Sequence, residues 1–258
     1  MRHLFVNRCV ESLLICLCLT NLLLCGCDVK PNMGKGGNTS TKTVVGEKEL
    51  FKTLDNLKYL LFSMHQYHDA HQTIPPAYTV DASGKPLHSW RVLILPYIDQ
   101  KALYDQIRLN EPWDSEYNKQ FHNRDVATFH SGATNSPKGF TDFSMVVGPD
   151  TITDGPTARL FSAIPDGTSN TIILVERATP VCWMDPTEVT QEAAVLGFGA
   201  SPEGMAAFYN GGERAIVGMM DGGAMQVRTA DATPDQIQIA LSRASGQRVT
   251  ILQNVTRD

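Results

Sequence analysis

The feature that most constrains the fold is an apolar stripe in "EKELFKTLDNLKYLLFSMHQYHDAH", Glu47 to His71. Leu50, Leu54, Leu57, Leu61 and Met64 recur at steps of four, three, four and three, the period of one buried helical face. The helix must end by Ile74, because Pro75 and Pro76 follow and the residue before a proline is driven out of the helical region. His68 is the next position on the stripe, and His65 and His71 fall about 60° to either side. His65 and His68 are therefore candidate metal ligands. The outer pair of the three histidines would lie about 9 Å apart along the axis, too far to share one ion on a straight helix. The reading that follows is structural, with His68 buried against a hydrogen-bond partner and the other two partly solvated.

A stripe of this kind needs a surface to cover, and the downstream sequence offers strands. "IPDGTSNTIILVE" has turn chemistry at Asp166-Gly167 and then a β-rich run from Thr171 to Glu176. "IVGMMDGGAMQV" places Asp221-Gly222 between two apolar runs, the mark of a tight hairpin. "SWRVLILPYIDQKALYDQI" reads as two short helices broken at Pro96, with Trp90, Leu93, Ile94 and Tyr97 inward. Near the end, Thr233, Pro234 and Gln236 form a capping box, Ile237, Ala240, Leu241 and Ala244 give a buried stripe, and Gly246 closes the helix. "RVTILQNV" reads as a final strand. Together these predict an α+β domain over residues 47–258.

What precedes it is an address. Five of the six cysteines lie at or before Cys27, and only Cys182 comes later. Arg2 and Arg8 precede "LLICLCLTNLLLC", an apolar stretch of signal-peptide length that is too short to span a bilayer. Leu24-Cys25-Gly26-Cys27 then resembles the bacterial lipobox, although Cys25 is an uncommon occupant of its position. This predicts a signal peptide over 1–26, lipidation at Cys27, and a Gly-, Thr-, Asn- and Lys-rich tether over 27–46 that reaches roughly 25 Å. An uncleaved signal anchor is the alternative. Acylation at Cys27 makes the lipid bilayer the first expected partner and places the domain in the periplasm or at the cell exterior. Cys182, left without a partner, reads as a small buried hydrophobe.

The formal charge of −5, without a basic run, argues against a nucleic-acid partner. No Walker loop, dinucleotide fingerprint, zinc-protease pair or paired-cysteine metal motif is present, and Ser201 in "GASPEG" lacks the glycine spacing of a nucleophile elbow. Trp113, between Glu111 and Asp114, and Trp183 are candidate sugar-binding platforms. Their commoner role is as packing anchors.

Several segments in order, "NLKYLLFSMHQYHDAHQTIPPAY", "GKPLHSWRVLILPYIDQKALYDQIRLNEPWDSEYNKQF", "TDFSMVVGPDTI", "IPDGTSNTIILVE", "VCWMDP" and "GGERAIVGMMDGGAMQV", resemble a large family of bacterial envelope proteins. The family is known as domain of unknown function 1559, also labelled SBP-bac type 10. The resemblance implies a pilin-like fold, a long N-terminal helix on an antiparallel sheet. Its members usually carry a prepilin leader, which the lipobox and tether replace here. Family members often have cysteines at the positions of Thr53 and Ser131, which implies that these two residues face each other. Pilin relatives sometimes carry calcium, which makes Asp166 and Asn170 candidate ligands, although the alternating oxygens of a calcium loop are missing. No cofactor is expected.

Three functions compete on the sequence. A non-catalytic envelope module for structure or protein contacts is favoured. A solute- or carbohydrate-binding module would need a concave pocket lined by Trp113, Trp183 or tyrosines. A hydrolase would need one of His65, His68, His122 or His130 paired with a carboxylate in an open cleft.

Overall fold

The 25-residue stripe forms the helix it predicts. In the computed structural model, which describes residues 45–157 and 159–255, α1 runs Glu47–His71 and buries Leu54, Leu57, Leu60, Leu61 and Met64. It ends where Gln72 adopts φ 60° and returns its amide to the His68 carbonyl, ahead of the proline pair. A small hairpin follows, β1 (Tyr78–Val80) against β2 (Pro86–Ser89). Next come α2 (Trp90–Leu93), a 3-10 turn at Leu95–Tyr97 that contains Pro96, and α3 (Lys101–Tyr104).

The main sheet is built from β3 (Phe140–Val147), β4 (Ile172–Cys182), β5 (Val189–Thr190), β6 (Arg214–Met219), β7 (Ala224–Arg228) and β8 (Leu252–Gln253). Their order is β5-β3-β4-β6-β7-β8. Every pairing is antiparallel except β3 with β5, which is parallel at Val146↔Val189. The sheet is therefore mixed, a correction to the antiparallel sheet that the resemblance implied. α4 (Gln191–Val195) and α5 (Pro234–Leu241) complete the described elements.

Both faces of the sheet are buried, which explains why "IILV" and "AIVGMM" read as continuous apolar runs rather than alternations. On one side, Leu54, Leu57, Leu61 and Met64 of α1 share a core with Phe143, Met145, Leu174, Ile216, Trp90, Phe129 and Trp183. Leu61 lies so close to β6 that a Cβ on Gly218 would stand 3.1 Å from its methyl carbon. On the other side, Ile172, Val175, Val217 and Val227 pack with Ala194, Ile237, Ala240 and Leu241. At about 25 cal/mol per Å² of apolar surface removed from water, this burial is the main stabilising term.

The predicted hairpin is present. β6 and β7 pair from Arg214↔Arg228 to Gly218↔Ala224, and the turn uses Gly222 at φ 93° with Asp221 Oδ1 accepting the Gly223 amide at 2.8 Å. α5 begins as read, its Thr233 hydroxyl accepting the Gln236 amide. It stops at Leu241 instead of reaching Gly246, because Ser242 leaves the helical region at ψ 136°. Ala244 is consequently exposed, and the final strand shrinks to two residues. Among the described residues no helix is long and apolar enough to cross a membrane. Cys27 and the boundaries at 26 and 27 lie outside the described residues.

Candidate functional site

The polar chemistry of the molecule gathers beneath the N-terminal half of α1. β3 and β4 lose register there. Thr141 pairs with Val181 and Phe143 with Glu176, so Asp142 stands opposite an excursion of β4 over 177–180. Such an irregularity re-aims side chains, and it brings the carboxylates of Asp142 and Glu176 towards the loop that starts at Ser131.

Asp142 is buried and fixes that loop. Its Oδ2 accepts the Ser131 amide at 2.8 Å and the Thr134 hydroxyl at 2.7 Å, and its Oδ1 accepts the Ser136 hydroxyl. Burial works to raise its pKa, but the bonds from His130, Ser136, Thr134 and the Ser131 amide outweigh it and hold the carboxyl below its ordinary value. His130 lies between two carboxylates. Its Nε2 is 2.7 Å from Asp125 Oδ1 and its Nδ1 is 3.8 Å from Asp142 Oδ2. Asp142 first and Asp125 second raise the imidazole pKa against the opposing effect of burial. His130 also lines a polar cleft of about 250 Å³ with Lys52, Asp125, Thr134, Asn135, Ser136 and Lys138.

Glu176 sits one layer deeper and is completely buried. Its Oε1 accepts the Ser131 hydroxyl at 2.5 Å and lies 3.2 Å from the Tyr209 hydroxyl, while its Oε2 makes no hydrogen bond of ordinary geometry. Burial raises its pKa to about 8, Ser131 and Tyr209 pull the other way, and the Asp142 charge adds to the rise. Thr53 of α1 joins the same cluster. Its hydroxyl is 3.1 Å from that of Ser131, takes the Tyr209 proton at 2.6 Å and accepts the Gly132 amide at 2.7 Å. The resemblance implied that Thr53 and Ser131 face each other, and they do.

A second buried group closes the other end of β3. Arg91 and Glu188 are both inaccessible to solvent and meet as a two-pronged ion pair at 2.7 and 3.2 Å. Glu188 also accepts the Ser144 hydroxyl and the Met145 amide. Arg91 donates to the Ser89 hydroxyl and the Phe143 carbonyl. Nearby, burial and the like charge of Arg91 lower the Arg177 guanidinium to about 10, and the Thr179 and Thr187 carbonyls hold it in place.

The other residues singled out from the sequence lie elsewhere. Asp166 accepts the Ser245 amide and hydroxyl and the Gly246 amide. Asn170 bridges the Gln247 carbonyl and the Val249 amide. Both side chains pin the segment after α5 and turn their oxygens to backbone. His65, not His68, has a hydrogen bond into the fold, a half-buried one from the ring Nε2 to the Met220 carbonyl at 2.9 Å, and the two rings clasp Phe161 at 5.0 and 4.3 Å. This corrects the expectation for His68, which stays partly solvated beside Asp69. Among the described residues no group of three or more His, Cys, Asp or Glu side chains is placed to hold a metal ion. Trp113 stacks on His122, whose Nε2 returns to the Trp113 carbonyl. Trp183 is fully buried against Phe129, out of reach of a ligand. Cys182 is half-buried and free, and burial pushes its thiol up.

His130 supplies half of a catalytic geometry, a histidine bonded to a carboxylate in an open cleft. Both ring nitrogens, however, face carboxylates, and the nearby hydroxyls of Ser131, Thr134 and Ser136 donate to Glu176 and Asp142. The two carboxylates favour the charged form of this imidazole. Asp142 and Glu176 escaped sequence reasoning because each sits alone in an apolar run. The available signal was parity, since Glu176 shares the α1-facing side of β4 with Leu174.

The sequence model described as "Protein of unknown function (DUF1559)", SBP_bac_10, matches residues 54–238. The chain belongs to this family. The matched segment takes in α1 from Leu54, the Asp142–Glu176 cluster and the Arg91–Glu188 pair, and it ends within α5. No curated protein and no solved structure matches the chain.

Proposed function

We propose that this chain is a lipid-anchored envelope protein whose folded part is a pilin-like, non-catalytic module for structure or protein contact. One observation carries the non-catalytic reading: the side chains capable of chemistry are spent on one another. Arg91 with Glu188, Glu176 with Ser131, and His130 between Asp125 and Asp142 all brace the fold. Support for the pilin-like reading comes from a 25-residue α1 that shares its core with the strands. Here a second layer, α4 and α5, covers the opposite face. Of the two tryptophans that a sugar-binding reading invokes, Trp183 is buried and Trp113 stacks on His122, which gives that reading less support.

Anchoring rests on the lipobox-like run ending at Cys27 and on the tether that follows. Cell fractionation with and without globomycin, on wild-type and Cys27→Ser chains, tests it. The wild-type chain partitions with membranes, and the Cys27→Ser chain loses its acyl groups and is no longer processed at that site. Wild-type protein found wholly in the soluble fraction would contradict the proposal.

A further inference from the structure

The hydroxyl protons around Glu176 can be counted. Thr53, Ser131 and Tyr209 each have one. Thr53 gives its proton to the Glu49 carbonyl at 3.2 Å, one turn back along α1. Tyr209 gives its proton to Thr53, since the 2.6 Å contact is much shorter than its 3.2 Å contact with Glu176. Of the three hydroxyls only that of Ser131 remains for Glu176, and the Ile216 amide of β6 is the one backbone donor acting on it. A carboxylate offers about four acceptor sites, so a fully buried one with these two donors and one oxygen without a partner is poorly solvated, which favours the neutral acid.

The charges around the group add to this. From β3, Asp142 presents a second carboxylate, whose charge is partly offset by His130; Asp125, a third carboxylate, lies on the far side of that ring. From the segment before β6, Tyr209 presents a phenol whose own ionisation is pushed up by burial and by Glu176. On β4, Arg177 is the next residue and lies on the opposite face by the two-residue alternation, where its guanidinium is taken by the Thr179 and Thr187 carbonyls. Arg214 of β6 is exposed and turns to Gln226. From α1, Glu49 contributes its carbonyl, and its carboxylate bends back towards Gly46.

We propose that Glu176 is a proton-binding site that latches the first turns of α1 to the sheet. When it is neutral, the Tyr209 hydroxyl holds Thr53; when it is ionised, it draws that hydroxyl and water to itself and the turns loosen. The step is a proton lost from the Glu176 carboxyl to solvent, with the Tyr209 O–H rotating from Thr53 to Glu176 and no other bond broken. The latch sits almost two turns inside α1, so it governs how firmly the first turns of that helix are held to the sheet.

Hydrogen exchange on the full detergent-solubilised chain tests this, reading protection of the Phe51–Leu57 amides relative to those of β4 and β6. In wild-type protein the ratio falls about tenfold per pH unit between roughly pH 5 and 8, the slope of a single linked proton. Glu176→Gln abolishes the slope, and His130→Asn, which removes the neighbouring titration, retains it. A wild-type ratio that is flat across this range, or a slope that survives in Glu176→Gln, overturns the proposal. Infrared spectroscopy of the wild-type chain at pH 6 needs no variant. A buried protonated-carboxyl band supports the latch, and its absence overturns it.

Discussion

Arg91 and Glu188 show how much one residue can hold in this molecule. Two charges taken wholly out of water are tolerated because each finds several partners. Glu188→Gln leaves the guanidinium buried beside Arg177 without a counter-charge, and we expect a loss of about 3–5 kcal/mol, read from the urea midpoint. Replacing both partners, Arg91→Met with Glu188→Leu, should cost less than the single change, since no lone charge remains. A single-residue prediction also follows from Thr53 and Ser131. With hydroxyls 3.1 Å apart across 78 positions of sequence, Thr53→Cys with Ser131→Cys should form a disulfide on oxidation. The gain in stability should be up to roughly 4 kcal/mol on the chain-entropy account. Thiol titration checks it: in the folded domain only the Cys182 thiol should remain after oxidation, and three free thiols would contradict the geometry.

Elements were legible where a period ran long enough to declare itself. α1 shows a stripe over five apolar positions and forms with the predicted bounds. The β6–β7 hairpin is announced by its turn residues. α5 kept its cap but lost its last turn, because Ser242 turns out to extend the chain rather than the helix. α4 and β5 had no signal at all, five and two residues respectively without a periodic pattern. The polar cluster stayed hidden for a different reason: Thr53, Ser131, Asp142, Glu176 and Tyr209 come from five separate segments and meet only through the register shift. At this scale the junction of α1 with the Ser131 loop depends on Gly132, where a Cβ would stand 2.0 Å from the Glu49 carbonyl oxygen. Gly132→Ala must push α1 away from the loop. We expect it to cost about 1–3 kcal/mol, as overpacking does, and to lower hydrogen-exchange protection in the first turns of α1 before that of the sheet.

For the whole molecule, the titrations combine into one pH profile. His130 and Glu176 both have folded pKa values above their ordinary ones. His130 contributes stability in full below its unfolded value of about 6.5, and loses it as pH rises through the raised folded value. For Glu176, the folded state keeps a proton that the unfolded chain releases, so stability falls by about 1.4 kcal/mol per pH unit from roughly pH 4.5 towards 8. Asp142 acts at the other end, its lowered pKa giving stability above about pH 4 that disappears as pH falls through the folded value. The denaturation midpoint should therefore peak between about pH 4 and 6 and decline towards pH 9. A maximum above pH 8 would mean that the cluster is ionised differently from this account.

The proposal that the domain is held at a membrane by lipid on one sulfur is tested most directly by mass spectrometry of the intact mature protein. The account predicts a chain that starts at Cys27 and carries the added mass of acyl groups on that residue. A mature chain that starts elsewhere, or an unmodified thiol at Cys27, would contradict it.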